Sequence, residues 1–155
     1  MAKIYKDTPL AEITLRRYEK PSKLSERELV RKICLSIGLL QPGDSRDVIV
    51  DILHVLLKAK KQKKSMDSKE IEKLVVEARK KLKLPLLGIA SSNIRRQLKR
   101  LKDLFLIENL SNNYRINENE KLINIFEEKI EKFYIKSITE RIKEYFKAAE
   151  NDLRS

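Results

Sequence analysis

The chain has 155 residues, a net charge of +12 at pH 7, and only one Cys and one His. This length suits a single domain, and a hydrophobic content of 41% can supply a core, which excludes a wholly disordered chain. One cysteine cannot form an intramolecular disulfide, and the most apolar stretch, 48–57, is too short to span a membrane. The sequence therefore indicates a cytoplasmic protein without a membrane segment, and its many Ile and Lys residues are typical of a thermophilic source.

The positive charge is concentrated in residues 58–102, which we call the basic block. It contains 16 basic and 4 acidic side chains, so it accounts for the whole net charge of the chain. Such a concentration is typical of a protein that binds a phosphate backbone or an anionic membrane face. Solvated helix faces would explain it equally well, so the charge alone does not decide between these interpretations.

An extended arm or a short strand is predicted for residues 1–23, followed by a first helix. Ser25 and Glu28 have the form of a capping box, in which each side chain accepts an otherwise unpaired amide of a helix start. Apolar residues at helical spacing continue to Gly38, where the helix is predicted to end.

Two further helices are predicted over about 46–61 and 68–82. Asp44 or Ser45 can cap the first, and Asp67 the second. In the second helix, the residues expected to be buried are Ile71, Leu74, Val75, Ala78 and Leu82. Its basic residues are expected to be exposed, namely Lys73, Arg79, Lys80 and Lys81.

A fourth helix is predicted over about 92–104, with Ser91 or Ser92 as its cap. Its apolar residues recur at spacings of four, three and four, and everything between them is polar: Ile94, Leu98, Leu101 and Phe105. Two β-prone runs, 106–110 and 114–117, then flank an Asn-rich turn and predict a hairpin.

One long helix is predicted from about 118 to 150, because this part contains neither Gly nor Pro. Its apolar stripe has a mean period of about 3.7 residues, which argues against a strict left-handed coiled coil. Such a stripe must be buried against the same domain or against a second subunit, and we favour a homodimer. The predicted dimer interface comprises Ile123, Phe126, Ile130, Phe133, Ile138, Ile142 and Tyr145.

Three helices followed by a hairpin is the order of a winged helix-turn-helix. The passage Ile94-Arg95-Arg96-Gln97-Leu98-Lys99-Arg100-Leu101-Lys102-Asp103-Leu104-Phe105-Leu106-Ile107-Glu108, then a polar turn and Tyr114, resembles the recognition-helix-to-wing passage of the MarR- and ArsR-type winged-helix regulators of bacteria and archaea. Phe105 stands where that family usually has Gly. The resemblance covers about residues 46–117.

The resemblance implies a mainly α fold, and the chain divides into three parts. Residues 42–117 would form the winged helix-turn-helix, a three-helix core with a β-hairpin wing. Residues 118–155 would add a long C-terminal helix, which resembles the dimerisation helices of such regulators. The N-terminal arm and helix, residues 1–41, are predicted from the sequence pattern and have no counterpart in the resemblance.

The same resemblance implies a transcriptional regulator that binds double-stranded DNA, with the fourth helix in the major groove and the hairpin on the neighbouring backbone. The expected contacts from the recognition helix are Ser91, Ser92, Asn93, Arg95, Arg96, Lys99 and Arg100. Among these, Asn93 would pair with adenine, and Arg95 or Arg96 with guanine. Those from the wing are Asn112, Asn113 and Arg115, and those to phosphates alone are Lys60, Lys61, Lys63, Lys64, Lys80 and Lys81.

No catalytic site, metal or cofactor is predicted, and the protein is not expected to be an enzyme. His54 and Cys34 both fall on apolar helical faces, where a partly buried histidine with its own partner and an unreactive thiol are the usual outcome. The three glycines are too scattered to form a phosphate-binding loop.

Two other functions stay open from the sequence. The first is a winged-helix adaptor that binds a partner protein in a transcription or replication assembly, and the second is a binder of RNA or chromatin DNA without sequence choice. Arg16 and Arg17 would suit an arm in a minor groove, although such a pair more often packs on its own domain. The sequence does not reveal whether a small-molecule effector binds.

Overall fold

The computed structural model describes residues 7–153, which are mainly helical with one small antiparallel sheet. This confirms the prediction of a helix-rich chain with a hairpin. In chain order the elements are α1 (Glu26–Ser36), α2 (Val48–Lys60), α3 (Ser68–Lys81), α4 (Ser91–Asp103), β1 (Ile107–Leu110), β2 (Asn113–Ile116), a 3₁₀ turn (Asn117–Asn119), α5 (Leu122–Ile125), a π-helical segment (Phe126–Ile135) and α6 (Lys136–Asp152).

Helix α2 is the centre of the core and contacts α1, α3, α4 and β2. It is buried on every side over most of its length, as a helix surrounded by other elements must be. It begins at Val48, so the prediction that Asp44 or Ser45 caps it is wrong. Asp47 occupies the cap position, but its carboxylate makes no cap hydrogen bond. Asp44 instead accepts a hydrogen bond from the Arg46 amide at 2.9 Å within the preceding turn.

The predicted cap residues of α1 and α3 are confirmed, but the Glu28 carboxylate accepts from the Ser25 hydroxyl at 3.0 Å and not from the Ser25 amide, as the capping box requires. Ser25 accepts a hydrogen bond from the Glu28 amide at 3.2 Å, and Asp67 accepts one from the Glu70 amide at 2.9 Å. Helix α4 differs, because Ala90 stands at its cap position and supplies no side-chain acceptor. The predicted capping of α4 by Ser91 or Ser92 is therefore wrong.

Each of the first four helices is followed by a residue with left-handed backbone geometry. These are Gly38, Lys63, Lys83 and Phe105, with φ of 77°, 53°, 55° and 68°. In each case the next amide donates to a carbonyl five residues earlier, as in the Schellman motif. Glycine adopts this geometry freely, whereas each of the three other residues carries a strain of about 1 kcal/mol.

The segment before α1 packs on the domain without forming a strand, so the short-strand alternative for this segment is wrong over the part described. The Arg16 amide donates to the Ser36 carbonyl at 2.8 Å. Its guanidinium donates to the carbonyls of Leu35 and Leu40 at 2.8 and 3.1 Å. Arg16 is therefore committed to its own domain and does not reach out as an arm.

The hairpin is short and tightly closed. Strands β1 and β2 pair from Ile107 opposite Ile116 to Leu110 opposite Asn113. The two turn residues, Ser111 and Asn112, both have positive φ, 53° and 69°, as the tightest hairpin turns require. Met66, between α2 and α3, adds an antiparallel bridge to Tyr114 through hydrogen bonds of 3.0 and 2.7 Å.

The C-terminal helical part changes character along its length. Ile125, Ile130 and Ile135 recur every five residues, the spacing that aligns side chains on one face of a π-helix, and they pack against the core. Ile130 is fully buried by its own chain, so its predicted place in a dimer interface is wrong. Phe126 is half-buried against the same core. Helix α6, in contrast, contains no buried residue.

Candidate nucleic-acid interface

Helix α4 has one buried face and one basic face. Ile94, Leu98 and Leu101 are fully buried and fasten the helix to the core. The side turned to solvent includes these exposed residues: Ser91, Ser92, Arg95, Arg96, Lys99 and Lys102. The apolar spacing predicted the buried face correctly and the outward face in part, because Asn93 and Arg100, expected on the outward face, are half-buried.

Asn93 is engaged within the protein. Its amide donates to the Gly88 carbonyl at 2.7 Å, and its side-chain oxygen accepts from Arg96 at 3.2 Å and from Gln97 at 3.1 Å. The side chain is half-buried, and it ties the start of α4 to the preceding loop. In this conformation Asn93 does not offer its amide to an adenine, so its predicted base-reading role does not fit the structure.

The remaining predicted contacts of α4 differ in whether their side chains already have partners within the protein. Arg100 donates to Gln97 at 2.8 Å and is half-buried, while Lys99 forms an exposed ion pair with Asp103 at 2.7 Å. The Ser91 hydroxyl donates to Glu72 of α3 at 2.9 Å. Within residues 7–153, Arg95 forms no ion pair or side-chain hydrogen bond. Arg95 is thus the predicted base contact with the fewest competing partners.

The wing arginine is paired across the hairpin. Arg115 of β2 lies opposite Glu108 of β1, and its Nε donates to the Glu108 carboxylate at 2.7 Å. Asn112 is exposed at the turn, and Asn113 is half-buried beside it. A contact from Arg115 to a phosphate would have to share or break its pairing with Glu108.

The lysines predicted to contact phosphates lie near the ends of α2 and α3. Lys60 donates to the Glu120 carbonyl at 3.1 Å, and Lys64 lies 3.7 Å from the Glu70 carboxylate. The other four are exposed: Lys61, Lys63, Lys80 and Lys81. The segment around Lys63 lies at the end of helix α2, where the Lys64 amide donates a hydrogen bond to the Ala59 carbonyl at 3.0 Å.

Five charged side chains on α1, α3 and the start of α2 form what we call the ion cluster: Arg27, Arg31, Asp47, Asp51 and Arg79. Arg79 is fully buried and donates to Asp47 at 2.9 Å and to Asp51 at 2.6 Å. The expectation that Arg79 is exposed is wrong, and so is the expected burial of Leu74 and Leu82, which are 37% and 54% exposed. Helix α3 is rotated so that Arg79, rather than those leucines, faces α2.

The ion cluster joins three helices. Arg27 of α1 donates to Asp51 at 2.8 and 3.1 Å, and Arg31 donates to Asp47 at 2.6 Å. Burial raises the pKa of the Asp47 carboxyl, but hydrogen bonds from Arg79 and the charge of Arg27 outweigh this and hold that pKa below its ordinary value. The cluster contains three arginines and two aspartates. The arginines therefore balance the negative charge of both carboxylates in a region from which water is largely excluded.

The cluster also holds the loop that leads into α4. Arg79 Nε donates to the Pro85 carbonyl at 2.8 Å, and Lys83 adopts its left-handed geometry two residues earlier. At the far end of this loop, a Cβ on Gly88 would lie 3.0 Å from the Asn93 side chain. The loop is longer than a usual helix-turn-helix turn, yet it is fixed near both ends, and this sets where α4 starts.

Phe105 has left-handed backbone geometry, with φ of 68°. Glycine, which usually stands at this position in the family that the sequence resembles, would favour the same geometry. The end of α4 therefore keeps a Schellman closure without a glycine. The Phe105 ring packs edge-on against Phe133 and Tyr134, with ring centroids 6.1 and 5.7 Å apart. These contacts connect the end of α4 to the C-terminal helical part.

The potential catalytic residues are placed as the sequence predicted. Burial raises the pKa of the Cys34 thiol to about 12, which leaves it protonated and unreactive near neutral pH. His54 is mostly buried and its Nε2 lies 3.1 Å from Glu26. Across residues 7–153, no group of three or more His, Cys, Asp or Glu side chains is placed to hold a metal ion. No helix in the same range is long and apolar enough to cross a membrane.

No family model matches the chain, and no match is found among the curated proteins or the solved structures. The functional argument therefore depends on the geometry described above.

Proposed function

We propose that the chain is a winged-helix protein that binds double-stranded DNA sequence-specifically and regulates transcription in the cytoplasm as a homodimer. The order of α2, the Met66 bridge, α3, α4 and the hairpin supports the winged-helix assignment. Helix α4 would be the recognition helix, the hairpin the wing, and the long C-terminal helix the dimerisation element.

The observation that carries the proposal is the outward face of α4. Arg95 and Arg96 stand in its first half, the part of a recognition helix that reaches base edges, and both are exposed. Arginine pairs with two acceptors of guanine at once and is the most common reader of that base. Lys99 and Lys102 follow further along, where phosphate contacts are expected.

Selection of duplexes from a random pool, at two salt concentrations and with an RNA competitor, tests this function. We expect enrichment of a short palindrome, because a symmetric dimer reads two half-sites about one helical turn apart. The enrichment should survive the higher salt, since base contacts do not depend on counterion release as phosphate contacts do. If the protein binds neither duplex nor RNA, the proposal is wrong and the partner-protein adaptor remains.

A second candidate is nucleic-acid binding without sequence choice. It is favoured by the internal engagement of Asn93 and Arg115, which leaves fewer side chains to read bases or support a wing. It predicts binding that weakens steeply with salt and enriches no sequence. The same selection experiment therefore separates the two functions.

A further inference from the structure

Two apolar surfaces in the described part of the chain have no cover from the chain itself. The first is a groove of about 650 Å³ between the segment before α1, α1 itself and the start of the C-terminal helical part. Its lining is mostly aliphatic and aromatic, and it includes Tyr18, Leu29, Ile33, Ile123 and Phe126. Ile123 is 59% exposed and Leu29 is 40% exposed, so the groove is open to solvent.

The second surface is the apolar stripe of α6. Ile138, Ile142, Tyr145 and Ala149 follow Ile135 at alternating spacings of three and four residues, which is the heptad pattern of a helix that packs on another helix. The drift of the stripe seen in the sequence is therefore confined to the π-helical segment, where five-residue spacing docks the helix on its own domain. Beyond Ile135 the pattern fits a separate partner.

The α6 stripe is wider than the seam of a two-stranded coiled coil. Phe146 and Leu153 stand beside the heptad positions, and they are 70% and 81% exposed. Apolar residues at three positions per heptad are typical of a helix that packs against a broader surface, such as a bundle or a groove. A partner that offers both a helix and a groove would cover the whole stripe.

We propose that the partner is a second copy of this chain, in which α6 of each protomer lies antiparallel in the groove of the other. This deepens the homodimer of the proposed function and rests on it. At the α-helical rise of 1.5 Å per residue, the helical part from 122 to 152 would be about 46 Å long, and its ten π-helical residues make it slightly shorter. When two such parts cross antiparallel near their midpoints, the last turns of one lie beside the first turns of the other, where the groove is.

Charge favours a second copy over another kind of partner. Residues 136–152 contain four basic and four acidic side chains, and the groove edge contains Glu19, Lys20 and Lys32. An acidic or a basic partner would be expected to meet a surface of the opposite charge. In a chain of net charge +12, these near-neutral surfaces are the ones that two copies can bring together with little repulsion.

The available area also suits a dimer. Tyr145 and Phe146 of the α6 stripe are 71% and 70% exposed. At roughly 200 Å² per ring, they expose about 280 Å² in one chain and about 560 Å² in two. With Ile123, Ile142 and the other exposed aliphatic groups, the apolar surface approaches the ~1,200 Å² of a stable interface.

Sedimentation of the full chain without DNA is the first test. We expect a dimer at micromolar concentration, and Phe146→Ser should raise the dimer dissociation constant at least about 30-fold, as for a central interface residue. Lys147→Ser, the next residue on the polar side of the same helix, should change it less than about threefold. Circular dichroism should show both variants folded, because both side chains are exposed. A monomer over the whole concentration range, or equal effects of the two changes, would overturn the proposal.

Cross-linking tests the antiparallel geometry. Cys34 is fully buried, so added cysteines supply the reactive thiols. A short thiol cross-linker should join Ile123→Cys chains to Phe146→Cys chains when the two are mixed, but should not join Phe146→Cys chains to each other. Lys147→Cys, mixed with Ile123→Cys, is the matched control and should remain uncross-linked. Cross-linking of Phe146→Cys chains to each other would indicate a parallel coiled coil and overturn the proposal.

Failure of the antiparallel dimer proposal is distinguishable from failure of the proposed DNA-binding function. The sedimentation and cross-linking experiments contain no DNA, whereas duplex selection reports on α4. A monomer that still enriches a single non-palindromic site would refute this pairing and leave DNA recognition by α4 intact.

Discussion

Two arginines of this chain have opposite environments. In the ion cluster, Arg79 is fully buried and bonded to two aspartates. On the outer face of α4, Arg95 is exposed and forms no ion pair within the described residues. Both belong to the basic block, and the sequence places them only sixteen residues apart. Net charge therefore overstates what this block offers to a phosphate backbone, because part of it is neutralised inside the protein.

The difference also separates the two properties that each arginine controls. Removing a buried charge takes hydrogen bonds and a balancing charge from its partners in a medium that solvates them poorly, so the loss appears as lower stability. Removing an exposed charge leaves the fold unaffected, so the loss appears as a lower affinity for the bound partner. The predictions below follow this distinction, from the largest expected effect to the smallest.

Arg79→Met should lower the free energy of unfolding by about 3 to 5 kcal/mol, because Asp47 and Asp51 lose their buried partner. Urea denaturation measures this change. Lys80→Met, at the exposed neighbouring position, is the matched control and should change stability by less than about 0.5 kcal/mol. Equal, small effects of the two substitutions would show that the ion cluster does not hold α1, α2 and α3 together.

Arg95→Ala or Arg96→Ala should weaken binding to the selected duplex by about 1 to 3 kcal/mol and relax the choice of one base pair. Urea denaturation should give an unchanged free energy of unfolding for both. Titration of the selected duplex and of a scrambled duplex measures the selectivity. If both duplexes lose affinity equally, these arginines contact phosphates and the recognition role is wrong.

Acid should remove the contribution of Asp47 to stability. Its pKa is held below the ordinary value in the folded protein, so its ionised form contributes stability above that ordinary value, near 3.8, and the contribution is lost as the pH falls through the folded-state pKa. Asp47→Asn should be less stable than the natural protein at pH 7, by about 1 to 3 kcal/mol, with the gap narrowing below pH ~4. Parallel urea titrations at several pH values measure the gap. A constant difference from pH 7 to pH 3 would contradict the assignment.

Lys61→Gln together with Lys63→Gln should weaken binding to all duplexes alike. The slope of log affinity against log salt should fall by about two, one for each phosphate contact. Lys129→Gln with Lys132→Gln, in the C-terminal helical part, removes the same charge outside the predicted DNA contacts and should leave the slope unchanged. Slopes that fall equally in both double variants would mean that only total charge matters.

The local pattern of the sequence predicted the helices well. The observed bounds of α2, α3 and α4 lie within two residues of those expected, because apolar spacing and the cap of α3 are local signals. The hairpin was also predicted, since Asn-rich turn residues tolerate the positive φ found at Ser111 and Asn112.

The ion cluster was missed because it depends on contacts between distant segments. A signal was nevertheless present: Arg79 continues the four-residue spacing of Ile71 and Val75, and Asp47 and Asp51 are four residues apart at the start of the most buried helix. An arginine at helical spacing from apolar residues, and two acids at helical spacing at the start of a strongly apolar helix, indicate mutual pairing. The hydrogen bonds that engage Asn93 and Arg115 were not predicted, because they depend on the shape of the loop before α4 and on the register of the hairpin, which the sequence pattern does not specify.

The number of residues in the π-helical segment sets the direction in which the apolar stripe of α6 faces. Each wide turn of the segment contains about one residue more than an α-helical turn, so the two turns contain about two extra residues. Deletion of a single residue there would turn the α6 stripe by about 100° relative to the core. Deletion of two, one from each wide turn, would let the segment close as an ordinary α-helix with the stripe facing nearly its original way. Between Phe126 and Ile135, the chain would therefore tolerate the loss of two residues better than the loss of one.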